Sequence, residues 1–391
     1  MGRSVVLFAR LGHFSNINDA VRGQLERGFP EADLLDVDVL AAASRELASF
    51  RNWIQLAREY GPDFLFRRKH FRRAREWLTV TSHAFHVVTE TLKAATRGRK
   101  LLFSFQTQSM FDGRIDPSTP HFVYTDSTVL ANYQYPGLEP RSFLKSSQWM
   151  RLEPRIYHNA TINFVFSHNQ SWSLVEQYHL PPARVVCAYC GSNAPLGRDA
   201  SEYGRHYGDK NVLFVGVNWE RKGGPQLLGA FLRVLGKHPS ATLTVVGCSP
   251  DVVHPNVRVL GKIPLPRVDE ELARASVFCM PTTQEPFGVV FVEAMHRRLP
   301  IVATNIGALP DMVESGVNGF LVPPGDTDAL LASLLRLLDS PELCEVMGAK
   351  GRARALEHYR WDHTGSILAE HIRPALPDPG SRHAMGSPIG R

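Results

Sequence analysis

Two successive series of short apolar runs dominate the pattern of this sequence. The first series begins at Val5-Val6-Leu7-Phe8 and ends at Arg184–Ala188, and the second extends from Val212–Val217 to Gly319–Val322. Stretches with helical spacing separate many of these runs. Apolar strands that alternate with helices are typical of parallel sheets covered on both faces. The sequence therefore predicts an α/β fold with two Rossmann-like, doubly wound domains that face a central cleft.

The boundaries of these domains follow from local composition. The polar, glycine-containing stretch 197–210 predicts a linker between an N-terminal domain at 1–196 and a C-terminal domain that begins at 211. Residues 374–391 have little apolar content, so we expect a disordered tail. The chain has 391 residues, which is enough to bury a full core in each domain.

Several classes of protein are disfavoured by composition and motifs. No run approaches the roughly 18 uninterrupted apolar residues of a membrane span, and the first residues lack the architecture of a signal peptide. Five cysteines, an odd number, do not indicate a disulfide framework. We therefore expect a cytoplasmic protein. The glycine motifs of dinucleotide-binding folds and of phosphate-binding loops are absent, which disfavours dehydrogenases and P-loop kinases.

The positive charge of the chain is concentrated in one segment. The whole sequence carries 44 basic and 38 acidic residues, whereas the segment Arg51–Thr79 alone has eight basic and three acidic ones. Its apolar residues recur at helical spacing, which is compatible with a basic amphipathic helix in peripheral contact with the inner face of an anionic membrane. The alternative, which we favour, is a solvated basic face whose apolar side packs on its own domain. No nucleic-acid-binding signature accompanies the segment.

The stretch that begins at Glu285 and ends at Glu293 is the most informative part of the sequence. It follows a strand-like run and is predicted to open a helix that ends near Arg297, with Glu293 about two turns into that helix. Gly288 has no side chain that would cover the first turn of the helix, so an anion could reach the backbone N–H groups of residues 287–289. Two carboxylates would repel the phosphates of such an anion. They are better suited to accept hydrogen bonds from sugar and ribose hydroxyls.

A second candidate element is the turn between the run Val212–Val217 and a helix predicted at Gln226–Leu235. Arg221 and Lys222 in this turn can each form a charge-assisted hydrogen bond to a phosphate, worth about 1.5–3 kcal/mol. The two glycines that follow them allow the backbone to approach closely. The alternative is a basic turn before a glycine-rich helix start, but the nearby glutamate pair favours the phosphate interpretation.

Together these motifs resemble those of the GT-B glycosyltransferases of family 4, also called group 1. The family spacing E-x7-E, with an internal Phe-Gly pair, is matched from Glu285 to Glu293. The Lys-Gly end of the family's phosphate turn is matched by Lys222-Gly223. The resemblance extends over roughly 211–362 and is thinner in the N-terminal half.

The resemblance implies a retaining hexosyltransferase that uses a nucleoside-diphosphate sugar, with UDP or GDP, and needs neither a divalent metal nor another cofactor. It implies that Glu285 contacts the donor sugar catalytically and that Glu293 binds the ribose hydroxyls. Arg221 and Lys222 would then hold the diphosphate. The donor pocket would be completed by the backbone N–H groups of the helix start, which belong to Phe287, Gly288 and Val289.

One residue departs from the family pattern. Many members carry an arginine directly after the glycine that ends this strand, and the residue here is Val217. We expect Arg221 to supply the missing charge. The family also implies that a C-terminal helix at 359–373 returns to the first domain, so that the C-terminal domain itself covers 211–358.

The N-terminal domain is expected to bind the acceptor, which is a sugar, a lipid-linked sugar or another small molecule. Asp126 follows a strand-like run and would act as a catalytic base, orient an acceptor hydroxyl, or cap the next helix, and the sequence leaves these roles open. Gly12 and His13 lie in the loop after the first strand, which in the family approaches the donor phosphate. For His13 the alternative is a structural role.

The same fold is compatible with other functions. The alternatives are a sugar phosphorylase or epimerase, or a non-catalytic sugar-nucleotide-binding protein.

Three other motifs are not assigned to the site. The D-x-D sequence at Asp36 and Asp38 lies in a predicted strand, so we assign no metal ligand to it. Cys187 and Cys190 lack further zinc ligands at the usual spacing and are predicted to be partly buried thiols. Trp219 either stacks on a ligand or packs in the core.

Overall fold

The computed structural model describes residues 3–12, 16–61, 77–136, 145–192 and 207–377, and within them two six-stranded parallel sheets form. The strands of the first sheet are β1 (Val5–Arg10), β2 (Asp33–Asp38), β3 (Leu101–Thr107), β4 (His121–Thr125), β5 (Ile162–Val165) and β6 (Val185–Cys187). Those of the second sheet are β7 (Asn211–Val215), β8 (Thr242–Val246), β9 (Val257–Gly261), β10 (Val277–Met280), β11 (Ile301–Thr304) and β12 (Gly319–Val322). The spatial orders are β2-β1-β3-β4-β5-β6 and β12-β11-β10-β7-β8-β9. The predicted pair of doubly wound α/β units is confirmed, and we call them the first and second units.

Helices connect the strands of both sheets. Those of the first unit are α1 (Ile17–Gly28), α2 (Val39–Ala42), α3 (Ser44–Leu47), α4 (Phe50–Tyr60), α5 (Ser82–Ala95), α6 (Val129–Asn132), α7 (Ser147–Asn159) and α8 (His168–Trp172). The helices that follow are α9 (Gly224–Val234), α10 (Leu265–Arg274), α11 (Val289–His296), α12 (Leu309–Met312), α13 (Thr327–Leu338), α14 (Pro341–His358) and α15 (Trp361–Ile372). Hydroxyl side chains begin several of them; Ser146, for example, accepts from the Trp149 N–H at 3.0 Å before α7.

Aromatic side chains build much of the core of the first unit. Neighbouring strands β3, β4 and β5 bring together buried rings whose centroids lie 5.5–6.3 Å apart, and these rings belong to Phe103, Phe105, Phe122, Tyr124 and Phe164. Burying one such side chain stabilises the fold by about 1.5–3 kcal/mol. The aromatic core continues into the second unit, because the rings of Phe166 and Phe287 meet edge to face at 5.4 Å.

Strand β2 ends at Asp38, the second aspartate of the D-x-D sequence. The Asp38 carboxylate accepts hydrogen bonds from the backbone N–H groups of Leu40 at 3.0 Å and of Gly12 at 3.1 Å, so the chain turns into α2 there. Asp36 and Asp38 also form ion pairs with Arg10 at 2.8 and 3.0 Å. The D-x-D sequence therefore serves a turn and an ion pair of the first sheet.

Residues 191–192, the last described ones of the first unit, contact residues 359–361 beyond α14. The backbone N–H of Ser192 donates to the carbonyl oxygen of Tyr359 at 3.1 Å. Gly191 lies so close to Trp361 that an added Cβ would overlap the backbone nitrogen and the indole ring. Beyond this contact, α15 packs against α1 of the first unit.

Three expectations from the sequence fall largely outside the described residues. They concern the basic segment 51–79, of which 62–76 is not described, most of the linker 197–210, and the tail from 378 onward. Helix α4, which begins one residue before the basic segment, exposes Phe50 and Ile54 to solvent. Among the described helices, none combines the length and apolarity that crossing a bilayer requires.

Two helical glycines test the packing of α14. Gly348 lies so close to Arg298 that an added Cβ would overlap its carbonyl oxygen, whereas the Cβ position of Gly229 in α9 has nothing within 4 Å. We expect Gly348→Ala to lower the midpoint of thermal unfolding, because overpacking costs about 1–3 kcal/mol. The control Gly229→Ala should keep or raise it, since alanine is favoured over glycine in helices by about 1 kcal/mol. Melting curves followed by circular dichroism measure both, and equal effects would contradict the described packing.

Candidate active site

The loop between β10 and α11 forms the centre of the candidate site. Glu285 in this loop is only 5% exposed. Gly288 has a φ of 92°, and a Cβ there would lie 2.7 Å from Phe291 and 3.0 Å from Glu285. Because Gly288 caps the helix in this left-handed conformation, α11 begins at Val289. Glu293 therefore lies little more than one turn into the helix, not two as expected from the sequence.

The start of α11 presents backbone N–H groups that have no acceptor within the helix. The N–H groups of the first helical turn lack intrahelical partners in general, and here Phe291 makes an early bond, from its N–H to the Gly288 carbonyl at 3.0 Å. The side chain of Phe287 is buried and packs against Phe166. This end of α11 therefore combines a helix start of the kind that binds anions with an aromatic contact to the first unit.

Glu285 is paired with Lys222 from the turn after β7. The Lys222 ammonium donates to the Glu285 carboxylate, and both residues are buried. Burial lowers the pKa of Lys222, and the carboxylate of Glu285 opposes that shift. Removing either partner would leave an unpaired charge in a buried position, so each residue fixes the other.

Arg221 joins the same two loops beside this pair. Its guanidinium donates to the carbonyl oxygen of Gln284 at 2.7 Å, and its own carbonyl accepts from the Thr283 N–H at 2.9 Å. Gly223 has a φ of 77° and lies against Pro281, where an added Cβ would overlap the proline carbonyl. The structure thus brings Arg221 and Lys222 together with Glu285 at the carboxyl ends of adjacent strands.

Two other residues of this turn have different surroundings. The ring of Trp219 packs against Phe214 with centroids 5.2 Å apart and covers Gly224. Trp219 is therefore part of the core, which was one of the two alternatives for it. Val217 is 77% exposed.

Glu293 in α11 is a partly buried carboxylate near Asp269 of α10. Burial raises the pKa of Glu293 to about 7, and repulsion from Asp269 adds to the shift. Asp269 itself is held by Arg297, whose Nε lies 2.6 Å from the Asp269 Oδ1. Hydrogen bonds from ligand hydroxyls to Glu293 would stabilise its charged form and lower that pKa.

Asp126 lies directly after β4 in the first unit. Burial raises the pKa of Asp126 to about 6, and the negative charge of Glu285 in the second unit contributes to the shift. The two carboxylates therefore lie within electrostatic reach of each other. The N-cap of α6 is Thr128, whose Oγ1 accepts from the Ala131 N–H at 3.1 Å. The capping alternative for Asp126 is wrong, because Thr128 already fills that position.

Two residues of the first unit, neither of them indicated by a sequence motif, hold the loop that carries Glu285. The Tyr135 hydroxyl donates to the carbonyl oxygen of Glu285 at 2.9 Å, and the Gln170 amide donates to that of Pro286 at 3.3 Å. Gly307 leaves room for the first contact, since a Cβ there would overlap the Glu285 carbonyl. These partners are 150 and 116 residues apart in the chain, so no local motif marks them.

Gly12 and His13 are not brought into this cluster by any described contact. Gly12 has a φ of 59°, and its carbonyl accepts from the Asn18 amide at 2.9 Å. Among the described residues, no hydrogen bond or ion pair links Gly12 with the Glu285 loop. His13 lies outside the described residues.

Comparison with curated sequences confirms the resemblance in the second unit. Residues 209–340 match a family model described as "Glycosyl transferases group 1". A D-inositol 3-phosphate glycosyltransferase of Streptomyces griseus subsp. griseus is 40% identical over 112 residues, which are 29% of this chain and 24% of the relative. Another, of Corynebacterium urealyticum, is 29% identical over 301 residues, which are 68% of this chain and 69% of the relative. The match with the Streptomyces protein thus spans about a quarter of its length.

Comparison with solved structures confirms the two-unit architecture. Sucrose-phosphate synthase from Thermosynechococcus elongatus superimposes with a TM-score of 0.69 at 18% identity, covering 95% of this chain and 99% of the other. Anabaena HepE in complex with UDP and glucose superimposes with a TM-score of 0.59 at 15% identity, covering 95% of this chain and 100% of the other. At these identities the likeness concerns the fold alone.

The raised pKa of Asp126 makes the stability of the fold depend on pH. The folded chain binds this proton more tightly than the unfolded chain, where aspartate titrates at about 3.9. The contribution of Asp126 to stability therefore falls as pH rises from about 4 to about 6. We expect Asp126→Asn to be more stable than the wild type at pH 8, by up to about 3 kcal/mol, with the gain vanishing near pH 4. Urea denaturation at both pH values measures this difference.

Asp116 provides a control of opposite sign. Hydrogen bonds from Ser118 and Thr119 lower the pKa of Asp116, so its ionised form stabilises the fold and that contribution is lost as pH falls. Asp116→Asn should therefore destabilise the chain at pH 8 and have less effect at acid pH. An Asp126→Asn variant that is less stable than the wild type at pH 8 would contradict the described surroundings of Asp126.

Proposed function

We propose that this chain, whose residues 209–340 match the model of the group 1 glycosyltransferases, transfers a hexose from a nucleoside-diphosphate sugar to an acceptor hydroxyl with retention of anomeric configuration. The observation that carries the proposal is the convergence of Lys222, Arg221 and the start of α11 on Glu285. Two cations and a row of free amides form a binding site for a diphosphate. The carboxylate among them provides an acceptor for sugar hydroxyls.

Exchange of partners explains how this site would receive a donor. A diphosphate that enters the site replaces Glu285 as the anion beside Lys222, and each charge-assisted hydrogen bond contributes about 1.5–3 kcal/mol. Glu285 is then free to accept hydrogen bonds from the donor sugar. The same cations and amides stabilise the negative charge that develops on the leaving diphosphate, so catalysis is electrostatic and is proposed to need no divalent metal.

The two other carboxylates complete the proposed reaction. Asp126, in the first unit, lies within electrostatic reach of Glu285, so it would orient the acceptor hydroxyl or take its proton. Glu293 would accept hydrogen bonds from the ribose hydroxyls. The backbone N–H groups of Phe287, Gly288 and Val289 would bind the phosphate oxygens, and Gly12 and His13 are proposed to approach the same phosphates from the first unit.

The competing functions differ in what they require of these groups. A non-catalytic binding protein needs the cations but not the carboxylates, and here the buried pair of Lys222 and Glu285 is intact. A phosphorylase or an epimerase would use the same donor site without an acceptor hydroxyl. The electrostatic influence of Glu285, in the second unit, on Asp126, in the first, favours transfer to a second substrate.

A thermal-shift screen of UDP, GDP, ADP and TDP sugars tests the donor class. We expect a UDP or GDP sugar to raise the unfolding midpoint. Incubation of the stabilising donor with candidate acceptors, including inositol phosphates, free sugars and lipid-linked sugars, should then give a glycosylated product in mass spectrometry. Binding without product in any acceptor mixture, combined with donor breakdown by inorganic phosphate, would identify a phosphorylase instead.

Replacement of Lys222 tests the diphosphate assignment. We expect Lys222→Ala to weaken the binding of the preferred nucleoside diphosphate by about tenfold or more, because a charge-assisted hydrogen bond is lost. Isothermal titration calorimetry measures the change. Lys237→Ala, which removes an exposed cation paired with Asp339, is the matched control and should bind as the wild type does. Equal isotherms for all three proteins would refute the role of Lys222.

Replacement of Glu285 separates binding from transfer. Glu285→Gln keeps the shape of the side chain and one acceptor oxygen, so we expect donor affinity to change modestly. Transfer should fall by about 100-fold or more, because the negative charge beside the reacting sugar is gone. Steady-state kinetics together with calorimetry measure both quantities. Glu345→Gln, on the exposed face of α14, is the control, and unchanged turnover in Glu285→Gln would remove Glu285 from the mechanism.

A further inference from the structure

Three side chains with metal-binding groups lie together where the two units meet. They are His168 at the start of α8, Cys187 at the end of β6 and Asp311 in α12. The first two belong to the first unit and Asp311 belongs to the second. The proposed transfer reaction uses none of them.

The donor atoms of these side chains are close enough to share one ion. An imidazole nitrogen, the thiol sulfur and a carboxylate oxygen all lie within 4.8 Å of one another. Tetrahedral zinc holds nitrogen and oxygen ligands at about 2.0–2.2 Å and sulfur at about 2.3 Å, so its ligand atoms are about 3.5 Å apart. Binding therefore requires these donor atoms to move closer together, by up to about 1.3 Å.

Hydrogen bonds position Asp311 and leave one of its oxygens available. The backbone N–H of His168 donates to the Asp311 Oδ2 at 2.6 Å, and the imidazole Nδ1 lies 3.3 Å from the same oxygen. Arg354 and the Tyr359 hydroxyl donate to the Asp311 carbonyl at 2.8 and 2.9 Å. Oδ1 accepts no hydrogen bond from the described residues. Carboxylates that bind metals are held in this way by outer partners.

The cluster is open to solvent on the side of the histidine. The side chain of His168 is 65% exposed, and its ring lies beside that of Tyr189 with centroids 5.9 Å apart. Cys187 is a half-buried free thiol. An ion can therefore enter past His168 and reach the sulfur.

We propose that His168, Cys187 and Asp311 bind a divalent cation of the zinc class and that the bound ion clamps the two units together. One imidazole, one thiolate and one carboxylate form a mixed donor set that suits Zn²⁺ or Co²⁺, whereas Mg²⁺ and Ca²⁺ prefer oxygen ligands alone. On binding, the Cys187 S–H bond breaks, the sulfur–metal bond forms and the proton passes to solvent. A water molecule completes the tetrahedral shell.

The position of the site has one consequence for the fold. The bound ion stabilises the described arrangement of the units over any separated one, because its ligands come from both.

Titration of the full chain with Co²⁺ tests the site, since cobalt reports thiolate ligation by a charge-transfer band. We expect this band to appear with wild-type protein and to disappear when Zn²⁺ displaces the cobalt. Cys187→Ser should abolish it, whereas Cys248→Ser, which changes another half-exposed free thiol, should leave it unchanged. His168→Asn, at a mostly exposed position, should weaken Zn²⁺ binding about tenfold or more.

The variant Asp311→Asn tests whether the second unit contributes a ligand, as a clamp between the units requires. It should weaken Zn²⁺ binding as much as His168→Asn does. If its affinity equals that of the wild type while the other two variants lose binding, the clamp is overturned. Absence of the cobalt band in the wild type, or its persistence in Cys187→Ser, overturns the site itself. None of these measurements uses a sugar donor, so their outcome is independent of the proposed transferase function.

Discussion

The ion pair between Lys222 and Glu285 is the interaction on which the candidate site depends. Its members come from the loops after β7 and β10, and the pair fixes the position of both loops. Transfer of two charges from water into a protein costs several kcal/mol per ion, and apolar residues of similar volume often replace such pairs without loss of stability. The pair is therefore better explained by its availability to ligands than by stability. A phosphate can take the place of Glu285, and sugar hydroxyls can take the place of Lys222.

The first unit shapes this site although it contributes neither member of the pair. The Tyr135 hydroxyl and the Gln170 amide hold the carbonyl groups of Glu285 and Pro286, and the ring of Phe166 packs against that of Phe287. The backbone of the loop that carries Glu285 is thus held by residues of the first unit as well as by residues of the second. Any movement of one unit relative to the other alters the position of Glu285 as well as the width of the space beside it.

The parts of this architecture that depend on short stretches of chain could be predicted from the sequence. Alternating apolar runs predicted both sheets. The motifs around Lys222 and Glu285 pointed to two loops that the structure brings into contact, and the roles of these residues in binding stay predictions. The start of α11 was misplaced because the left-handed conformation of Gly288, which delays the helix to Val289, depends on close packing with Phe291. Tyr135 could not be found, because its partner is 150 residues away and no periodicity encodes that contact. The contact between Asp311 and His168 could not be predicted either, because these residues are also far apart in the chain.

The contacts of Ser192 with Tyr359 and of Gly191 with Trp361 tie the last described residues of the first unit to the start of α15. Farther along its length, α15 packs against α1, so the first unit contacts this helix at more than one place. The helix follows the second unit in the chain but completes the packing of the first. A substitution on the buried side of α15 would therefore disturb the first unit, although the residue lies far from it in sequence.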